Sequence, residues 1–109
     1  MTKGRYGGPE RRRSPRHDRR FRVILEYEGH SYEIRTIDIS EHGVLIPRRS
    51  PPPIGTHIKL TLTISNETAI FKGVVIRHTK CLVNGAETGA IGIDFSSREY
   101  QDFVRDKAV

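Results

Sequence analysis

A chain of 109 residues with a formal net charge of +6, one cysteine, no tryptophan and 35% hydrophobic residues reads as one small domain, because two independent cores do not fit. The lone Cys81 excludes an internal disulfide framework, and no apolar run nears the ~20 residues that span a bilayer. The start, Met1 to Arg5, leads into no apolar stretch of signal-peptide type, so the expectation is a cytoplasmic protein without membrane insertion.

Charge divides the chain in two. Residues 1–22 carry nine basic and two acidic residues, whereas residues 23–109 carry ten basic and eleven acidic ones. The basic character therefore belongs to residues 1–20, an arginine-rich arm with Gly4, Gly7, Gly8, Pro9 and Pro15 and almost no apolar side chains. Such a segment cannot bury enough surface to offset its ordering entropy, which predicts an arm that stays flexible until it meets a partner. Arginine rather than lysine dominates it, and arginine suits bidentate contact with phosphate or a base edge.

From Phe21 the pattern has period two. Phe21, Val23, Leu25 and Tyr27 alternate with Arg22, Ile24, Glu26 and Glu28, which predicts a half-buried strand. After a turn at Gly29-His30, residues 32–40 read as a second strand. Its apolar parity shifts from Tyr32 and Ile34 to Ile37 and Ile39, and this puts a bulge near Arg35-Thr36. Val44 to Ile46 is a short strand, and the loop at 47–55 is stiffened by Pro51, Pro52 and Pro53. His57 to Ile64 alternates cleanly. Ser65-Asn66-Glu67 is a turn, Ala69 to His78 a longer strand with Gly73 suited to a bend, and Asn84-Gly85 a hairpin signal. Ala90 to Phe95 closes the set. Ser96 and Glu99 then have capping-box spacing, followed by an apolar stripe of Tyr100, Phe103 and Val104, which predicts a short helix across one end of the strands. The fold class expected is all-β: a six-stranded antiparallel, split β-barrel over residues 21–109 with a C-terminal α-helix.

Two clusters carry the chemistry. Arg11-Arg12-Arg13-Ser14-Pro15-Arg16 precedes the first strand, and Asp38-Ile39-Ser40-Glu41-His42-Gly43 ends the second. Either alone is weak, since Asp-x-Ser-x-x-Gly also describes an ordinary turn. In this order, on a small barrel, the pair resembles the PilZ domain family. Arg12 and Arg16 fit its Arg-x-x-x-Arg motif, with Arg11 as the frequent preceding arginine, and Asp38, Ser40 and Gly43 fit its Asp/Asn-x-Ser-x-x-Gly motif. Gly92-Ile93-Asp94-Phe95 is similar to the family's last strand. The resemblance implies a six-stranded barrel that binds cyclic di-GMP, a bacterial second messenger, in the control of motility, pili, biofilm exopolysaccharide or virulence. It also implies a receptor or adaptor without catalysis or cofactor, acting through an effector protein the sequence does not identify.

The residues agree with that ligand. Guanidinium groups of Arg11, Arg12 and Arg16 can fork onto a phosphodiester or onto guanine O6 and N7. The Asp38 carboxylate can accept from guanine N–H groups, with the Ser40 hydroxyl beside it. Residues two apart on a strand share a face, so both point the same way, while Gly43 lets the backbone turn tightly. Ligand charge would lock the arm onto the barrel and change the surface shown to a partner.

Other readings weigh less. Asp38, Ser40 and His42 are hydrolase residue types, but strand neighbours do not converge as a triad must. The five histidines and Cys81 show no paired zinc spacing. Asn66-Glu67-Thr68 matches a glycosylation acceptor that has no consequence without a signal peptide. The main alternative is nucleic-acid binding by a small barrel with a basic arm; a slightly acidic body with no aromatic platform argues against it. A ligand-independent protein-interaction module is the third reading.

Overall fold

Residues 20–108 are described by a computed structural model. Seven strands and one helix follow in order: β1 (Arg22–Tyr27), β2 (His30–Arg35), β3 (Asp38–Ser40), β4 (Gly43–Pro47), β5 (His57–Ile64), β6 (Glu67–Val83), β7 (Ala86–Asp94) and α1 (Arg98–Lys107). All pairings are antiparallel, in the order β2-β1-β5-β6-β7-β4-β3. The two outermost strands, β2 and β3, are consecutive in the chain and separated only by Thr36 and Ile37. One interrupted strand thus joins both edges of the sheet and curls it into a split barrel.

The six expected strands become seven because the anticipated bulge is a full break. The parity shift demands it: Ile39 points into the core on β3, and Thr36 at the break is fully buried. Its backbone N–H donates to the Phe21 carbonyl (2.9 Å), and its Oγ1 accepts from the Phe21 N–H (2.9 Å). A buried hydroxyl without such partners would be costly.

Elsewhere alternation builds the core directly. Val23 and Leu25 of β1 face Leu62 and Leu60 of β5, and Ile58 and Ile64 extend the same inner face. Three tight hairpins connect strands through pairs of residues with positive φ: Glu28-Gly29, Ser65-Asn66 and Asn84-Gly85. Two successive positive φ values match the right-handed twist of the flanking strands.

β6 and β7 run longer than their apolar patterns predict. β6 continues five residues past His78 to Val83, and β7 starts at Ala86 rather than Ala90. These extensions pair with each other, from Thr79↔Ala90 to Val83↔Ala86, as a two-stranded ribbon. Ladder hydrogen bonds hold the ribbon, and its one half-buried face, Cys81, Val83 and Thr88, is too weakly apolar for hydrophobic periodicity to report. Gly73 is not the bend in β6. The irregularity lies between Val75 and Arg77 and leaves Ile76 exposed, while a Cβ at Gly73 would meet the Phe95 ring.

The helix starts one residue later than the capping-box spacing suggests. Ser97 caps it, its Oγ accepting from the Tyr100 N–H at 3.1 Å. Either cap gives the same helical phase, in which Tyr100 and Val104 are completely buried. Tyr100 stacks on Phe95 (ring centroids 4.3 Å apart) and meets Phe71 edge-on at 5.2 Å, closing one end of the barrel. Glu99 in the first turn and Arg105 and Lys107 in the last complement the helix dipole.

Candidate functional site

Directly opposed residues on neighbouring strands share a face of the sheet. Register therefore extends the second motif into a surface. Asp38 of β3 pairs with Leu45 of β4, Leu45 with Gly92 of β7, and Gly92 with Arg77 of β6. The next row runs Ser40, Gly43, Asp94 and Val74. The intervening residues Ile39, Val44 and Ile93 point the other way and are core. Asp38 and Ser40 thus stand side by side on the outer face, as their spacing predicts. Leu45 lies on this face too, buried but apart from the core cluster.

Arg77 closes the first row at its far end, three strand spacings or roughly 14 Å from Asp38. Its side chain lies over Gly92, where an added Cβ would come within 3.0 Å of it. Sequence reading did not single out Arg77 as a site residue, because only the β6–β7 register brings it to this face. Thr36 was expected only as part of a bulge, because its bonding partner Phe21 lies 15 residues away. Arg20 donates from Nε to the Thr36 carbonyl at 3.3 Å, so the chain arriving from the basic segment is tied down two residues ahead of Asp38. Arg20 also acts on Cys81: burial raises that thiol's pKa, and the Arg20 charge opposes the rise. Arg11, Arg12 and Arg16, and the 1–20 arm apart from Arg20, lie outside the described residues.

The turn itself is heavily bonded. Ser40 Oγ accepts from the His42 N–H (3.4 Å) and donates to the Gly43 carbonyl (3.5 Å). Gly43 is needed for space rather than for a left-handed φ, since its φ is not positive. A Cβ there would run into the Ile93 carbonyl oxygen of β7. The tight turn expected here is present at Glu41-His42, and Gly43 serves it by allowing a close strand approach.

The profile of the PilZ domain matches residues 10–105. The chain belongs to the PilZ family. Solved structures agree on the fold. The inhibitor of motility MotI/DgrA of Bacillus subtilis superimposes with a TM-score of 0.70 at 17% identity, over 90% of this chain and 49% of its own. The PilZ domain of YcgR from Escherichia coli, solved with c-di-GMP, gives 0.71 at 14% identity, over 88% of this chain and 87% of its own. The MrkH–c-di-GMP complex of K. pneumonia gives 0.69 at 19% identity, over 90% of this chain and 51% of its own. This chain spans about half the length of MotI/DgrA and of MrkH. No curated protein sequence matches it.

In this PilZ chain, the described residues hold no group of three His, Cys, Asp or Glu side chains arranged for a metal, and no helix among them is long and apolar enough to cross a membrane. Tyr100 is the most perturbed titratable group near the face. Burial first, and the Asp94 charge second, push its hydroxyl far above the ordinary tyrosine pKa. The unfolded chain ionises near pH 10, so the contribution is complete below that value and falls above it by about 1.4 kcal/mol per pH unit. Urea unfolding between pH 9 and 11 is expected to show wild type losing stability more steeply than Tyr100→Phe. Parallel curves would contradict this.

Proposed function

We propose that this PilZ chain is a cytoplasmic, non-catalytic receptor for cyclic di-GMP. In this reading Arg12 and Arg16, joined by Arg11, grip phosphodiester and guanine, Asp38 and Ser40 contact guanine, and Gly43 keeps β4 close enough to β7 to hold them in line. The arm closing over the ligand changes the surface offered to an effector protein.

The observation that carries this reading is the tie of Arg20 and Phe21 to Thr36, next to the Asp38–Ser40 face. Arg16 lies four residues before Arg20, and four extended residues reach roughly 14 Å. That length matches the width of the Asp38–Arg77 row, about 14 Å. Anchored there, an arginine pair has the reach to meet a dinucleotide lying across the outer face. Arg77 at the other end is a further cation for the second phosphate or for stacking on a base.

The test compares ligands and salt. Wild type is expected to bind cyclic di-GMP, and the Arg12→Ala/Arg16→Ala variant to bind at least thirtyfold more weakly with an unchanged melting temperature. Binding of duplex DNA with a steep salt dependence, stronger than that of the dinucleotide, would instead favour the nucleic-acid reading.

A further inference from the structure

Four consecutive residues of the β3–β4 connection are each bonded to the C-terminal segment. The Tyr100 hydroxyl lies 3.0 Å from both the Ser40 and the Gly43 carbonyl oxygens, so one O–H is shared between them. Arg105 Nη2 lies 3.4 Å from the Glu41 carboxylate. The Phe95 N–H donates to the His42 carbonyl at 2.9 Å. The turn therefore has little freedom apart from the helix and its leader.

These contacts differ in weight. The Arg105–Glu41 pair is exposed, Arg105 is shared with Asp102, and such pairs contribute little. Tyr100 is fully buried, and its ring is fixed between Phe95 and Phe71. Its hydroxyl therefore arrives at a set position, and the two carbonyls it holds belong to the residues flanking the turn. One of them is Ser40, the other the glycine that approaches β7.

We infer that Tyr100 is the positioning residue of the ligand face: its hydroxyl sets the β3–β4 turn so that Asp38 and Ser40 stand in binding geometry. The inference rests on the receptor reading above. It makes α1 part of the site without touching ligand. It also makes the coupling mutual, since whatever fixes the turn favours the docked helix and whatever loosens the helix weakens ligand binding.

Tyr100→Phe removes one oxygen and keeps the ring packing. Cyclic di-GMP is titrated into wild type, Tyr100→Phe, Arg105→Ala and Leu25→Val, the last being a core change in β1 that lowers stability without touching the turn. Amide exchange of residues 39–44 is followed in the same proteins without ligand, at temperatures giving equal fractions folded. The expected result is a five- to tenfold loss of affinity in Tyr100→Phe, a loss of threefold or less in Arg105→Ala, and none in Leu25→Val. Exchange at 39–44 should be faster only in Tyr100→Phe. Wild-type binding with Tyr100→Phe within twofold of it overturns the inference and leaves the receptor reading intact. Unchanged exchange at 39–44 overturns it whatever the ligand does. Failure of wild type to bind removes the receptor reading and, with it, the role assigned to Tyr100.

Discussion

Replacing Gly43 with alanine is expected to destabilise the protein by about 1–3 kcal/mol, the usual range for overpacking, and to weaken ligand binding at the same time. The new methyl group would meet the backbone carbonyl of Ile93, which cannot rotate aside as a side chain can. Ile93 is itself buried, and β7 is held by β6 on its other side. The strain is therefore relieved by moving β4 outward, and β3 goes with it because Ser40 pairs with Gly43. Asp38 and Ser40 would leave their register with Gly92 and Asp94. Gly92→Ala is the informative contrast. The atoms nearest its Cβ belong to the Arg77 side chain, at 3.0 Å and beyond, and a side chain yields more readily than a backbone carbonyl, so its effect on stability should be smaller than that of Gly43→Ala. Urea unfolding of the two variants measures the difference. Equal stability of Gly43→Ala and wild type would contradict the packing account.

Asp38→Ala is expected to reduce cyclic di-GMP affinity by 10- to 100-fold while leaving the melting temperature nearly unchanged. Hydrogen bonds to a charged acceptor contribute about 1.5–3 kcal/mol, and tenfold in affinity corresponds to about 1.4 kcal/mol. The residue is half-exposed on the outer face of β3, whereas its neighbour Ile39 carries the core packing. Loss of the carboxylate should thus be felt more by ligand than by the core packing. Asp38→Asn keeps an acceptor oxygen and should retain part of the affinity. Calorimetric titration together with thermal melting separates the two effects. Asp38→Ala binding within twofold of wild type would show that the carboxylate does not touch the ligand.

Much of the barrel was legible because its core follows simple alternation. Val23 and Leu25, then Ile58 to Ile64, mark inner faces that need no knowledge of their partners. The parity shift between Ile34 and Ile37 signalled a local irregularity, but not that Thr36 would be buried and bonded there, since a threonine in a strand is unremarkable until its partner Phe21 is known. The β6–β7 ribbon escaped because its added residues are at most half-buried on one face and it is held largely by backbone pairing. The helix cap lies at Ser97 rather than Ser96 because two adjacent serines offer nearly equal caps, and local spacing does not choose between them.

The site was legible to the extent that it is local. Asp38, Ser40 and Gly43 fall within six residues, and strand parity alone puts the first two on one face. Arg77 is absent from any local pattern and reaches the face only through the β6–β7 register. Tyr100 was legible as an apolar stripe position, yet its hydroxyl partners are sixty and fifty-seven residues away. Gly43 carried a turn signature, but its requirement is the distance between β4 and β7, which no local rule encodes.

The central claim is that this PilZ chain binds cyclic di-GMP on the Asp38–Ser40 face. Calorimetric titration of cyclic di-GMP into the purified protein at physiological salt, with GTP as control, tests it most directly. Saturable binding is expected at about micromolar or tighter, near −8 kcal/mol, with no response to GTP and with loss of the signal in Asp38→Ala. No heat at several temperatures, or binding that Asp38→Ala leaves unchanged, would contradict it.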